Sequence, residues 1–256
     1  MSNIFSGNAI WHLVAQSDAM SKLVLLFLLG LSMLSWTIFF YKMMVIRLKN
    51  RQLRELRAKI QLITTVDQLV ALAAHYAGSY QGQFLSQGLA EVKNQLKLID
   101  SSNYLGKTEL EAIEQKIYVI IDDMLLKEES LVSVLSVAAA VSPLLGLFGT
   151  VWGLVHSFVR ISEQQSADIV TVAPGIAEAL ITTLAGLMVA IPSLILFNYL
   201  TMRLRLFESQ LNSLGDLFSS RIQIIFIRVK GARVDQDNFD EKTIDVRGAA
   251  QKISDL

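Results

Sequence analysis

Three long apolar runs constrain this chain more than any other feature of its sequence. The first extends from Leu23 to Tyr41, the second from Leu131 to Phe158 with His156 as its one titratable residue, and the third from Ile169 to Met202 with Glu178 as its one charged residue. Each run is long enough to supply the roughly 20 residues that an α-helix needs to cross about 30 Å of hydrocarbon. The sequence therefore predicts an all-α integral membrane protein with three transmembrane helices.

The composition agrees with this class and excludes several others. Hydrophobic residues make up 52% of the chain and charged residues 18%, and the charges are segregated outside the apolar runs, as in polytopic membrane proteins. The net charge is zero because the basic and acidic residues of the charged segments cancel. It therefore indicates neither a nucleic-acid partner nor an acidic substrate. The chain has no cysteine, scattered histidines, no phosphate-binding glycine loop and no hydrolase or metalloprotease motif. We therefore expect no bound metal, no cofactor and no enzymatic activity.

The distribution of basic residues predicts the orientation, because Lys and Arg near the ends of spans are retained in the cytoplasm. Basic residues follow the first and third runs closely, whereas Lys22 stands almost alone ahead of the first run. The N-terminus is accordingly expected outside the cytoplasm and the C-terminus inside it. The predicted segments are an outer segment 1–21, transmembrane helix 22–42, cytoplasmic helical loop 43–129, transmembrane helix 130–159, short outer loop 160–168, transmembrane helix 169–202, and cytoplasmic helix with tail 203–256.

The loop between the first two spans reads as helical, and the later spans are expected to continue into the cytoplasm. Capping-box patterns occur at Thr65 to Gln68 and at Thr108 to Glu111, and a further helix is expected near Phe84 to Ile99. One long helix is predicted from about Glu109 to Phe158, and another from the third span to about Lys230. The basic run 47–59 reads more readily as the solvated flank of a span than as a site for anionic lipid headgroups.

Small and polar residues form a stripe on one face of each of the last two spans. Such stripes let helices approach closely in lipid, where association depends on packing. We therefore predict that the glycines and prolines of these spans serve helix packing, with Pro174 at the opening of the third helix. These residues are Gly146, Gly149, Gly153, Gly175, Gly186, Pro143, Pro174 and Pro192.

Glu178 is the residue that packing alone explains least. A charged side chain at the bilayer centre costs about 2.5 to 3.5 kcal/mol on insertion scales. One interpretation is a protonated carboxyl group that hydrogen-bonds a neighbouring helix, with Thr182 one turn away as a candidate partner. The other, which we favour, is a carboxyl group that lines a polar path and binds and releases a proton.

Two segments together resemble a known family. "SPLLGLFGTVWGLVHSF" from Ser142 and "VAPGIAEALITTLAGLMVAIPSLILFNY" from Val172 are similar to the paired signature of the TolQ, ExbB and MotA superfamily. His156 after "WGLV" is closer to TolQ-type than to common ExbB-type sequences. MotA-type proteins fit less well, because they typically have four spans.

The resemblance implies a homopentamer whose second and third spans surround a pore that holds the single helices of two TolR-like partners. It implies that Glu178, Thr150 and Thr183 line that pore and face an aspartate on the partner helix, and that a TolA-like partner contacts the first span. The resemblance also implies the inner membrane of a Gram-negative bacterium, with the N-terminus and the loop 160–168 in the periplasm and with membrane lipid around the assembly. Proton flow would then energise the Tol-Pal system for outer-membrane integrity and cell division. On an ideal helix Thr182 shares the face of Glu178 while Thr183 lies about 140° round, so both threonines remain candidates.

Two alternatives stay open. An ExbB-like subunit would energise TonB-dependent uptake through the same arrangement. A non-conducting scaffold would use its small-residue stripes only to hold a complex together, so that Gly149→Leu or Gly153→Leu disperses the oligomer while Glu178→Gln has a mild effect.

Overall fold

The computed structural model describes residues 18–98, 107–164 and 169–236, and within these ranges it contains α-helices and no strand. The described part of the chain forms five helices: α1 (Ala19–Leu62), α2 (Val66–His75), α3 (Tyr80–Leu98), α4 (Lys107–Gln164) and α5 (Ile169–Gln236). Three of them, α1, α4 and α5, are long and apolar enough to cross a membrane. The predicted all-α membrane fold is confirmed. The predicted loop 160–168 is helical up to residue 164, because α4 continues to Gln164. The segment up to residue 17, residues 165–168 and the tail beyond residue 236 lie outside the described residues.

The two longest helices continue through prolines. Helix α4 has 58 residues with Pro143 inside it, and α5 has 68 residues with Pro174 and Pro192 inside it. Both helices extend slightly beyond the long helices expected from the apolar periodicity. The prediction that Pro174 opens the third helix is wrong, because α5 begins five residues earlier at Ile169. Proline is tolerated within membrane helices because neighbouring groups can satisfy the freed backbone carbonyl.

The first predicted helix cap is confirmed and the second is wrong. Thr65 has an extended backbone and its side chain accepts a hydrogen bond from the Gln68 N–H, while α2 begins at Val66. The Gln68 side chain accepts in turn from the Thr64 N–H at 3.0 Å. In a standard capping box it would accept from the N–H of the cap residue Thr65 itself. Thr108 does not cap a helix, because it already lies inside α4, which begins at Lys107.

The chain divides into two compact units. The membrane unit comprises the described residues of Met1–Met43 and Ser130–Met202. Many of its large apolar side chains are exposed while several small polar ones are buried, which is the polarity expected of a protein solvated by lipid. Exposed members on α5 are Leu180, Leu184, Leu187, Met188, Ile191 and Ile195, and buried polar members are Ser21, Ser35, Ser142, Ser157, Thr182 and Ser193.

The core unit comprises the described residues of Met44–Glu129 and Arg203–Leu256. It has the apolar interior of a water-soluble helical domain, with Phe84, Phe207 and Phe218 fully buried among leucines and isoleucines. Phe84 and Phe218 meet edge to face at 5.8 Å, a geometry that aromatic pairs favour. Helices α2 and α3 are joined here by a tight turn in which Gly78 takes a φ of 80°, a conformation that other residues rarely adopt.

Lys49 corrects the prediction that the basic run 47–59 is a solvated flank. Arg54 and Arg57 are exposed as expected, whereas Lys49 is half-buried, and Lys42, just ahead of the run, is only 3% exposed. Lys49 forms an ion pair with Glu128 of α4, and its ammonium group lies 4.1 Å from the centre of the Tyr80 ring. The basic run therefore contributes to the interior of the protein as well as to its surface.

Replacing Lys49 by methionine is expected to destabilise the core unit by about 3 kcal/mol, the lower end of the range for breaking a buried pair. The cause is Glu128, which is 7% exposed and would lose its cationic partner. The matched control is Arg51→Met, since Arg51 pairs with Glu55 at an exposed position and such pairs contribute at most about 0.5 kcal/mol. Thermal unfolding in detergent measures both. Equal effects of the two substitutions would contradict an internal role for Lys49.

Replacing Tyr80 by phenylalanine is expected to raise stability at neutral pH by about 1 kcal/mol. The Tyr80 hydroxyl is buried without a hydrogen-bond partner among the described residues, and such a group loses its hydration without compensation. Burial, and secondarily the Glu128 carboxylate, raises the pKa of Tyr80 above its ordinary value of 10.0. As the pH rises past that value the unfolded chain releases the phenolic proton first, so the wild type loses stability above about pH 10. The phenylalanine variant should lose less over this interval, and a steeper loss would contradict the assignment.

Candidate intramembrane carboxylate site

Glu178 lies on α5 within the third apolar run and is half-buried in the membrane unit. Its Oε1 atom accepts a hydrogen bond of 2.9 Å from the main-chain N–H of Asp18, which immediately precedes α1. The carboxylate on α5 is thereby joined to the start of the first span, 160 positions earlier in the chain.

Asp18 also binds α4 through its side chain. The indole Nε1–H of Trp152 donates to Asp18 Oδ2 at 2.9 Å, so this one residue contacts two other helices. The hydrogen bond from Trp152 is the main reason that the pKa of Asp18 lies below its usual range, with smaller contributions from the main-chain N–H groups of Ala19 and Met20 and from His156; burial opposes them. Sequence reasoning missed Asp18 as a site residue. An Asp directly before an apolar run does signal a helix start, but it does not reveal the contact with Glu178.

The two candidate threonines on α5 have different surroundings. Thr182 has no exposed surface, and its hydroxyl donates to the Ala179 carbonyl at 2.7 Å. Thr183 is half-buried and donates across to the Gly146 carbonyl of α4 at 3.0 Å. On α4, the half-buried Thr150 donates to the Leu147 carbonyl at 2.7 Å.

The glycines of the stripes lie where α4 and α5 approach each other most closely. A Cβ atom added to Gly186 would lie 2.6 Å from the Ser142 carbonyl oxygen, and one added to Gly146 would lie 3.0 Å from the Thr183 Cα atom. A Cβ on Gly149 would lie 2.7 Å from Thr182 Cβ, and one on Gly153 would lie 2.9 Å from Ala179 Cβ. Gly175 faces the Ser157 side chain. The helix separation at each of these positions depends on the missing side chain.

Several buried hydroxyl groups of the membrane unit bond within their own helices. Ser35, Ser142 and Ser157 donate to the carbonyl four residues earlier, at 2.8, 2.6 and 2.9 Å. Ser193 of α5 instead donates to another helix, to Ser35 of α1 at 3.1 Å, as Thr183 does to α4. These internal bonds remove the cost of burying a hydroxyl in an apolar medium.

The arrangement supports proton exchange better than other chemistry. Glu178 is the only acidic side chain in the runs 131–158 and 172–200, and one side of its helix is polar while the opposite side is exposed and apolar. His156 is half-buried on α4 and its charge acts on Asp18. Within residues 18–98, 107–164 and 169–236 there is no cluster of acidic, His or Cys side chains that could hold a metal ion.

The site lies in the part of the chain that matches a known protein family. The family model of the MotA/TolQ/ExbB proton channel family matches residues 77–213, which include Glu178 and all three threonines. The Tol-Pal system protein TolQ of Haemophilus influenzae is 30% identical over 215 residues, which cover 81% of this chain and 91% of that protein. TolQ of Pseudomonas aeruginosa is 28% identical over 220 residues, covering 85% and 94%. The biopolymer transport protein ExbB of Salmonella typhimurium is 28% identical over 213 residues, covering 82% and 83%.

Proposed function

This chain belongs to the MotA/TolQ/ExbB proton channel family, and from that membership we propose that it is a TolQ-type subunit in which proton movement past Glu178 drives mechanical work at the outer membrane. The chain is a multi-pass protein of the inner membrane. The observation that supports the proposal most is the half-buried carboxylate of Glu178 in an otherwise uncharged span. Such intramembrane carboxylates are costly to insert, and they mark proton relays in energised membrane proteins.

We assign Glu178, Thr150 and Thr183 to the proton path. Thr150 and Thr183 retain exposed surface in the subunit, whereas Thr182 has none. A path completed by neighbouring subunits and a partner helix requires residues that are accessible from outside the subunit. We therefore assign Thr182 to the packing of α4 against α5 and propose Thr183 as the threonine of the path on α5.

The proposed assembly is a pentamer around a TolR-like single-span dimer, with a TolA-like partner on α1 and the N-terminus in the periplasm. Exposed apolar side chains on the membrane-spanning part of α1 support a helix that meets lipid and a partner span. They include Leu26, Phe27, Met33 and Phe40. One elementary charge crossing 100 mV is worth about 2.3 kcal/mol, so several protons per cycle suffice for a mechanical step.

Deletion of the gene in its own bacterium distinguishes the TolQ-type function from the ExbB-type alternative. The TolQ-type proposal expects detergent sensitivity, leakage of periplasmic enzymes and chained cells, all reversed by the wild-type gene on a plasmid. Normal growth on iron-loaded carriers under iron limitation is the matched control. Loss of iron uptake with an intact outer membrane would instead support the ExbB-type function.

A further inference from the structure

Asp18 occupies the junction of the three membrane-spanning helices at the end where α1 begins. Its carbonyl accepts the Lys22 N–H at 3.1 Å, the first hydrogen bond of α1. Its own N–H donates to Glu178 Oε1 and its carboxylate accepts from Trp152, each at 2.9 Å. One residue at a helix start therefore binds both of the other spans.

The two contacts of Asp18 depend on each other. The bond to Glu178 comes from the main chain, so the Asp18 side chain affects it only by fixing where that main-chain N–H lies. The Trp152 indole holds the Asp18 carboxylate, and hence the whole residue, against α4. The acceptor is a carboxylate, and hydrogen bonds to an ionised group are stronger than neutral ones, although this contact is exposed.

A buried hydroxyl group lies one turn further along α1. Ser21 is 1% exposed, and its Oγ atom has no hydrogen-bond partner among the described residues. Unpartnered buried hydroxyls are rare in folded proteins and call for an explanation. Ser21 lies three residues from Asp18, and its hydroxyl can either donate or accept.

We propose that Asp18 is a positioning residue that, anchored by Trp152, docks the start of α1 on the Glu178 carboxyl and holds that carboxyl in a resting position. The inference rests on the proposed proton function of Glu178 and deepens it. An ionised carboxylate accepts the Asp18 N–H more strongly than a protonated carboxyl does, so the start of α1 responds to the proton carried by Glu178. The other charged or titratable side chains at this end are His156, which acts on Asp18, and the exposed Lys22, Arg160 and Glu163.

The test measures how fast dicyclohexylcarbodiimide, an apolar reagent for protonated carboxyl groups, modifies Glu178. The full-length wild-type oligomer is compared with its variants in bacterial phospholipid vesicles, and peptide mass spectrometry quantifies the labelled fraction between pH 6 and pH 8. Trp152→Phe and Asp18→Leu should each raise the labelling rate about tenfold. That factor corresponds to about 1.4 kcal/mol, near the lower end for a hydrogen bond to a charged group.

Three further variants separate positioning from a general structural effect. Asp18→Asn should label faster than the wild type but clearly more slowly than Asp18→Leu, because its neutral amide oxygen can still accept from Trp152, though more weakly than a carboxylate. The double variant Asp18→Leu with Trp152→Phe should label no faster than either single variant, since both remove one interaction. Trp36→Phe and Glu163→Leu are the matched controls, because both side chains are exposed in the membrane unit.

Wild-type labelling rates in Trp152→Phe would overturn the proposal, and so would equal rates in Asp18→Asn and Asp18→Leu. If Asp18→Leu fails to assemble, Trp152→Phe alone decides the outcome, because it leaves the helix start intact. Labelling requires no mechanical output. An accelerated rate in Trp152→Phe together with a functional Glu178→Gln protein would therefore reject the proton-driven function while leaving the positioning role of Asp18 supported.

Discussion

Replacing Glu178 by glutamine is expected to abolish proton-coupled work while leaving the oligomer assembled. Glutamine has nearly the same shape, and its amide oxygen can accept the same N–H of Asp18, so the 2.9 Å contact need not be lost. It cannot exchange a proton at any physiological pH. Loss of a group that transfers protons reduces a rate by about 100-fold or more. Proton flux into vesicles that contain the complex, and detergent resistance of cells, both measure this effect.

The matched control for Glu178→Gln is Glu163→Gln, the same change at an exposed position in the last turn of α4. It should leave flux and resistance unchanged. Size-exclusion chromatography of both variants shows whether assembly is preserved. Wild-type outer-membrane integrity in the Glu178→Gln strain would reject the proton path and favour the scaffold alternative.

Replacing Gly186 by leucine is expected to separate α4 from α5 and to prevent recovery of a folded oligomer. A Cβ atom at this position already lies 2.6 Å from the Ser142 carbonyl oxygen and 3.1 Å from the Gly146 Cα atom. Both obstacles are backbone atoms, so no side-chain rotation relieves the clash. Even Gly186→Ala should lower stability by about 1 to 3 kcal/mol, the usual effect of overpacking.

Gly30→Leu provides the control for Gly186→Leu. Gly30 also lies in a membrane span, but a Cβ atom there has nothing within 4 Å. Because leucine is a better helix former than glycine, this variant should be as stable as the wild type or slightly more so. Thermal unfolding in detergent and the oligomer mass compare the pair. Similar losses in the two variants would show that bulk in any span is harmful and that the Gly186 contact is not special.

The sequence predicted the helices well because the signals that specify them are local. Apolar length indicates a membrane span, and continuing periodicity predicted that α4 and α5 extend well past their apolar runs. Even Pro143 and Pro192 do not end these helices. The small-residue stripe also shows which side of α5 is suited to close packing, and Thr182, Gly186 and Ser193 are buried.

The site was less predictable because it depends on contacts between distant segments. A helical wheel places Thr182 with Glu178, but it cannot tell whether that face lies against α4 or on the surface of the subunit. The contact between Asp18 and Glu178 joins residues 160 positions apart, and no local pattern encodes it. Lys49 illustrates the same difficulty. Its ion pair with Glu128 joins distant segments, so the local sequence suggests a solvated residue where the structure has a half-buried one.

The internally bonded hydroxyl groups have a consequence for biogenesis. Ser35, Ser142 and Thr182 each bond a carbonyl of their own helix, so each span can leave the translocon as a single helix with these polar groups already satisfied. Glu178 differs, because its described partner belongs to the first span. We therefore expect the third span to enter the lipid either with the Glu178 carboxyl group protonated or in contact with α1, which has already been inserted. The residue proposed to drive the mature complex would thus also make the last insertion step depend on the first.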